Sequence, residues 1–210
     1  MEYAIFKMAV GTIYDHPETA RPNEDGLMLS TIGDEGLYGQ ACQVRTAPGG
    51  VTAAGVQLPP EMAEVVSFYG YHGYVDQSEL QFVAEDALRG YLAQQLVLVD
   101  RATDVLNVPK VQGVRMMELA QGGVLRRLPE SAEEAEAHKG WAKVQLVDGR
   151  VGYTRDVALE PVRYEMTAVF TQREGLLFDD ALAQTLDCKP EQLVQKALDR
   201  WHGGSEEAFR

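Results

Sequence analysis

AEVVSFYGYHGYVDQSEL (63–80) and AKVQLVDGRVGYTRDVAL (142–159) align without a gap at a constant offset of 79 residues. The matches are Ala63 with Ala142, Val65 with Val144, Gly70 with Gly149, Gly73 with Gly152, Tyr74 with Tyr153 and Leu80 with Leu159. Self-similarity at a fixed spacing marks a repeated structural unit. The second copy carries the plainer physics. Over 141–147, Ala142, Val144 and Leu146 alternate with Lys143 and Gln145, the period of a half-buried strand. Asp148-Gly149 follows, a dipeptide suited to the positive-φ positions of a two-residue hairpin turn. The return strand carries Val151, Gly152 and Tyr153. In the first copy Tyr69-Gly70 fills the turn, and Met62 stands where Trp141 does. The chain contains one hairpin twice.

Weaker echoes lie upstream of each hairpin. YDHP (14–17) and LNVP (106–109) each end an apolar strand with proline, which removes a ladder donor. LYGQACQV (37–44) and LAQGGVL (119–125) each read as a turn feeding a strand. Residues 46–60, rich in Gly, Pro and Ala, read as a long surface loop, and 129–139 as its charged counterpart with space for one helical turn. Residues 84–95 join the copies and fit either a short helix or a strand. Several short strands at close spacing, twice over, predict a mainly β fold of two tandem small β-barrels, 1–84 and 85–162.

A helical tail is expected over 163–210. Within it, 176–187 and 190–201 read as helices, and Leu193, Val194, Ala197, Leu198 and Trp201 share one face of the second. Pro190 suits its first turn and Gly203 its stop. Ser205 followed by Glu206 and Glu207 is then a further helix start. Only three residues, ending at Arg210, follow it, so more chain is expected beyond, with a frayed natural terminus as the alternative.

The net charge of −13 repels phosphate backbones and anionic membranes, which argues against nucleic acid as a partner despite the local basic pair Arg126 and Arg127. No apolar run approaches the ~20 residues that cross a bilayer. The first twenty residues lack the charged start and apolar core of a secretion signal. The chain as written reads as cytoplasmic, or as cell-wall-associated if a signal has been removed. Cys42 and Cys188 make no disulfide framework.

His16, His72, His138 and His202 show no ligand spacing, and no CxxC occurs, so neither a metal nor another cofactor is expected. Cys42 alternates with Val44 on a strand and reads as a small buried hydrophobe. Cys188 precedes the helix start at Pro190, which would lower its pKa. His202 stands at the far end of that helix, on the order of 20 Å away at ~1.5 Å rise per residue. A thiolate nucleophile needs a histidine within hydrogen-bond reach, so no catalytic residue is assigned. Asp34-Glu35 and Asp179-Asp180 read as capping or solvated acids.

Tyr69, Tyr71, His72 and Tyr74 form the candidate ligand-binding cluster, because aromatic rings with polar handles line shallow peptide grooves. Tyr69 and Tyr71 share a face if alternation runs through the turn. Tyr74 has its counterpart in Tyr153 and fits a packing role. Tyr69 and Tyr71 have no aromatic counterparts, which suits a function specific to the first copy; purely structural tyrosines are the simpler alternative. Trp141, Gly149, Gly152, Tyr153, Gly70 and Gly73 belong to the structural repeat.

GWAKVQL (140–146), DGRVGY (148–153) and Leu159, with the opening DVLNVP (104–109), resemble bacterial SH3-like (SH3b) domains. The first copy, with LYG (37–39) and YGYHGYV (69–75), looks like a divergent sibling. In tandem the two resemble the N-terminal, non-catalytic region of NlpC-type cysteine peptidases, which cut peptide stems of the bacterial cell wall. The peptidase domain of that family carries its nucleophile in an Asp-Cys-Ser-Gly context, which neither DCKP around Cys188 nor ACQV around Cys42 matches. The resemblance implies a targeting or substrate-restricting module of a γ-D-glutamyl-diamino acid endopeptidase, its first barrel walling the cleft of a catalytic domain downstream in the same polypeptide. The partners it implies are peptidoglycan stem peptides or muropeptides and that domain; the missing signal favours recycling inside the cell. A stand-alone peptide-binding or scaffold protein is the alternative, and a cysteine hydrolase a third.

Overall fold

The computed structural model describes residues 3–46, 50–52 and 55–162. The first copy runs β1 (Tyr3–Phe6), β2 (Val10–Tyr14), an inserted hairpin of β3 (Ala20–Pro22) and β4 (Met28–Ser30), then β5 (Ile32–Leu37) and β6 (Ala41–Val44). It ends with β7 (Met62–Ser67), β8 (His72–Asp76) and β9 (Leu80–Val83). Helix α1 (Glu85–Leu92) leads to β10 (Leu96–Val99), β11 (Thr103–Leu106), β12 (Arg115–Leu119) and β13 (Val124–Arg127). Helix α2 (Ala132–Ala137) precedes β14 (Trp141–Gln145), β15 (Val151–Arg155) and β16 (Leu159–Pro161). From β7 to β9 the start of every element recurs 79 residues later, so the sequence repeat is a backbone repeat.

Each copy is a seven-stranded antiparallel sheet. The order is β5-β2-β8-β7-β6-β1-β9 in the first and β12-β11-β15-β14-β13-β10-β16 in the second, strand for strand the same. Small β-barrels were predicted, but neither sheet closes on itself: their end strands share no ladder. β5 pairs only with β2 and β9 only with β1, and each sheet is thinnest where β2 meets β8 or β11 meets β15. A single residue pair, Tyr14 with Tyr74, joins them, as Leu106 with Tyr153 joins β11 to β15. A Cβ on Gly73 would stand 2.5 Å from Ile13 Cγ2 and 2.7 Å from Tyr14 O; one on Gly152 would stand 2.6 Å from Val105 Cγ1. These glycines let one strand cross over another at contact distance instead of running beside it. Both copies also shift register at this place, between Ile13 and Tyr14 and between Val105 and Leu106. The first sheet curls over a core that includes Phe6, Ile13, Val65, Val75 and Leu80, contributed by five different strands.

The hairpin turn is one residue longer than the dipeptides suggest. Leu146 N–H donates to Arg150 O and Gly149 N–H to Leu146 O, making Val147, Asp148 and Gly149 a three-residue loop. Phe68–Gly70 is its counterpart, and Gly70 and Gly149 take φ of 95° and 86°. Three-residue hairpins put a glycine at their left-handed last position, so the same dipeptide serves either turn. Residues 84–95 resolve as a helix. Glu85 and Asp86 occupy its first turn, Arg89 pairs with Glu85 at 2.6 Å, and Leu88 is buried. Helix α2 starts with a reciprocal capping box between Ser131 and Glu134.

The two cores distribute similar volume differently. Phe6 pairs with Leu80 where Val99 pairs with Leu159, so Phe6 and Val99 are equivalent. Gly36 faces Gly11 where Leu119 faces Thr103. A Cβ on Gly36 would stand 2.1 Å from Phe6 Cζ. A large ring over glycines in one copy replaces a smaller valine beside a leucine in the other.

The turn after β5 joins the copies. Tyr38 belongs to the first copy, yet it is 2% exposed and packs in the second core with Val97, Val99, Leu119, Leu125 and Val144. Its hydroxyl accepts a hydrogen bond from Val147 N–H at 2.6 Å, and its carbonyl accepts one from Val124 N–H at 2.7 Å. Gln40 Nε2 donates to Gly122 O at 3.2 Å, and the Tyr91 hydroxyl of α1 donates to Gly39 O at 3.0 Å. A Cβ on Gly39, where φ is 78°, would stand 2.0 Å from Val124 O. Only glycine allows this approach. Burial pushes the Tyr38 phenol up to about 12.

Tyr38→Ala is expected to lower unfolding free energy by about 3–5 kcal/mol through the lost aromatic packing. Tyr38→Phe, which strands the Val147 N–H, should cost about 1–3 kcal/mol; both are read by urea unfolding. Gly36→Leu alone should cost about 1–3 kcal/mol against Phe6. Adding Phe6→Val should return part of that loss, a non-additive pair in a double-mutant cycle.

Candidate functional site

Alternation along β8 sends Gly73 and Val75 to the core and His72, Tyr74 and Asp76 to the other face. Tyr71, one residue before the strand, lies on the core side and packs against that core. Its hydroxyl donates to the Asp15 carboxylate just past β2. A Cβ on Gly33 would collide with both groups, so that glycine makes space for the pair. The hydrogen bond to Asp15 holds the Tyr71 phenol up at about 12, with burial and the negative charges of Asp15 and Asp34 acting the same way.

On the outer face, His72 Nε2 stands 2.7 Å from Glu64 Oε1. Glu64 is 5% exposed and its N–H donates to Thr46 Oγ1 at 2.6 Å, whereas the His72 side chain is 51% exposed. The Tyr74 ring meets His72 edge-on at 5.8 Å, and burial, followed by Glu64 and Glu18, raises its phenol. Tyr69 stands in the turn, edge-on to Phe68 at 4.9 Å. The structure thus joins His72 and Tyr74 around Glu64. It places Tyr71 on the opposite face with Asp15, and the three-residue loop interrupts the alternation that would have paired Tyr69 with Tyr71.

The second copy builds a similar trio from other elements. His138, at the end of α2, meets Tyr153 edge-on at 5.0 Å, and its Nδ1 stands 2.6 Å from Glu130 Oε1. Each repeat tyrosine therefore carries a histidine and a carboxylate, but His72 aligns with Val151 and Glu64 with Lys143. Asp15, Glu64, Glu130 and His138 escaped the sequence reading because nothing in linear order connects them to the tyrosines.

Cys42 is 3% exposed in the first core, and burial pushes its thiol up to about 12, the opposite of an activated nucleophile. Among the described residues no group of three or more His, Cys, Asp and Glu is placed to hold a metal ion. No helix among them is long and apolar enough to cross a membrane. Cys188, His202 and the helices expected at 176–187 and 190–201 lie outside the described residues.

No family model matches the chain. In sequence it is similar to dipeptidyl-peptidase 6 of Lysinibacillus sphaericus, at 29% identity over 136 residues, 64% of this chain and 45% of that protein. In structure it is similar to an NlpC/P60 family protein from Bacillus cereus, with a TM-score of 0.53 and 14% identity over 82% of this chain and 63% of that one. An NlpC/P60 endopeptidase from Photobacterium damselae subsp. piscicida matches with a TM-score of 0.43 and 14% identity, over 82% of this chain and 36% of that one. The chain thus spans less than two thirds of the length of each. The Bacillus cereus match shows a shared fold: these antiparallel sheets recur in part of an NlpC/P60 family protein.

Iodoacetamide at mildly alkaline pH should leave Cys42 unlabelled in the native protein and label it in urea, read by peptide mass mapping. Labelling of the native protein at the rate of a free thiol would contradict its burial. The Cys42 thiol and the Tyr38 and Tyr71 phenols all titrate higher in the folded chain than their ordinary values of 9.0 and 10.0. The unfolded chain therefore loses these protons first. The stability these three groups contribute should be fully present below pH 9 and fall as pH rises toward about 12, and Cys42→Ala should remove the earliest part of that fall.

Proposed function

We propose that this chain is the non-catalytic, SH3-like part of a bacterial cell-wall cysteine peptidase of the γ-D-glutamyl-diamino acid endopeptidase type. In this reading 1–84 and 85–162 are two SH3-like units, and 163–210 leads to a catalytic domain in the same polypeptide. The carrying observation is the joint match: sequence similarity to a peptidase of which this chain covers 45%, and a fold shared with part of an NlpC/P60 family protein. The burial of Cys42 supports it, since the one cysteine among the described residues lies in a core.

The first copy acts by restricting which peptide stems reach the catalytic domain, so that wrong substrates are excluded rather than right ones bound tightly. His72 and Tyr74 on the outer face of β8, and Tyr71 on the other face, are the contact residues. Asp15 fixes the Tyr71 hydroxyl and Glu64 fixes the His72 ring, which lowers the entropy lost when a polar peptide group meets them. The substrates are stem peptides or muropeptides, recycled in the cytoplasm.

Titration of the chain with L-Ala-γ-D-Glu-diaminopimelate, followed by amide NMR shifts, tests this reading. Shifts should concentrate at Tyr71, His72 and Tyr74, and Tyr71→Phe should weaken binding about 5–20-fold, the worth of one hydrogen bond. An unperturbed spectrum at millimolar peptide would count against the assignment.

A further inference from the structure

The outer faces of the two repeat hairpins differ most in chemistry at the register position farthest from the turn. Trp141 faces Arg155 across β14 and β15, where the first copy sets Met62 against Asp76. Met62 is 2% exposed, and Asp76 turns back to accept the Ser78 N–H at 2.8 Å, capping the short turn that follows β8. Arg155 occupies the same cap position and makes no side-chain cap. Its guanidinium lies instead over the Trp141 ring, 4.7 Å from the centroid. Arg155 is exposed and Trp141 half-buried. Among the described residues no carboxylate pairs with Arg155, and the Trp141 indole N–H has no acceptor. The next residue, Asp156, pairs instead with Arg127 at 2.9 Å.

Trp141 and Arg155 form one side of a groove of about 580 Å³ that crosses β14, β15, β11 and β12. Leu106 and Val111 give it an apolar lining. On the β11–β12 side, Arg115 stands 3.5 Å from Asp104 and 3.1 Å from Glu118. One guanidinium against two carboxylates leaves negative charge there, while the β14–β15 side carries the uncompensated Arg155. The groove is thus positive on one side and negative on the other. Its volume falls within the roughly 300–1,000 Å³ of small-ligand sites. A guanidinium stacked on an aromatic ring is pre-oriented, and its edge donors remain free to take a carboxylate with two parallel hydrogen bonds.

We infer that this groove is a second ligand site, specific to the second copy, for a short peptide with free termini. The carboxylate sits on Arg155, the Trp141 indole N–H meets a carbonyl, and the amine points toward Asp104 and Glu118. The site shares no residue with the Tyr71–His72 cluster, and the inference does not depend on the function proposed above.

The test is a titration of the 15N-labelled chain with tetra-alanine, its C-terminal amide and its N-acetyl form. The Trp141 indole signal is assigned by its loss in Trp141→Phe. The free peptide should shift the Trp141 indole and Arg155 Nε–H signals saturably, and the amide should bind about tenfold more weakly, as expected for a lost charge-assisted hydrogen bond. Arg155→Gln, at an exposed position, should abolish the difference between acid and amide while leaving the melting temperature unchanged. Equal shifts from acid and amide, or no shift of the Trp141 indole at millimolar free peptide, would overturn the inference. Either failure leaves the stem-peptide reading untouched, because that titration is read at Tyr71 to Tyr74 with a different peptide.

Discussion

Tyr38 leaves the turn after β5 of one sheet and fills the core of the other, and the arrangement of both copies depends on that side chain. Its ring is counted among the second core, its hydroxyl meets Val147 N–H in the second hairpin turn, and its carbonyl meets Val124 N–H at the start of β13. A fully buried aromatic of this size removes roughly 150–250 Å² from water, several kcal/mol of driving force that neither copy has alone. Gly39 lets the backbone reach Val124 O, and Tyr91 of the linking helix closes the same turn from the other side. A repeat this short buries a limited core per copy, so an aromatic lent by the first copy to the core of the second ties their stabilities together.

This shared body leaves both outer hairpin faces in fixed positions. Each face carries a tyrosine at the same repeat position, flanked by a histidine and a carboxylate drawn from different elements. Beyond that common pattern the faces diverge: Met62 against Asp76 in the first copy, and Trp141 beneath Arg155 in the second. The duplicated scaffold thus keeps its glycines while its surface residues change.

The parts of the fold that were legible are those the backbone itself dictates. Gly70 and Gly149 need positive φ, Gly73 and Gly152 need space for a crossing strand, and these four residues align in sequence because the geometry recurs. Ring closure was not legible, because whether the end strands β5 and β9 meet depends on contact between residues far apart in the chain. The β3–β4 insertion gave no alternation to read, with Met28 and Leu29 both exposed. Tyr38 stood in plain sight in the LYG stretch, but a side chain's partner 109 residues away leaves no local mark. Residues 84–95 could be either element by pattern, and packing of Leu88 and Tyr91 selects the helix. In the candidate cluster the order of the aromatic residues did not show that Tyr71 faces away from His72 and Tyr74, and Asp15, Glu64 and Glu130, which orient their neighbours, come from distant strands and loops.

Native-state hydrogen exchange tests the central claim most directly. The amides of Val124 and Val147 both donate to Tyr38. If Tyr38 locks the two sheets into one body, these amides exchange only through global unfolding, with the same free energy as core amides of β1 and β10. Faster exchange of Val124 and Val147 than of both cores would mean that the copies part while each stays folded, and would contradict the account.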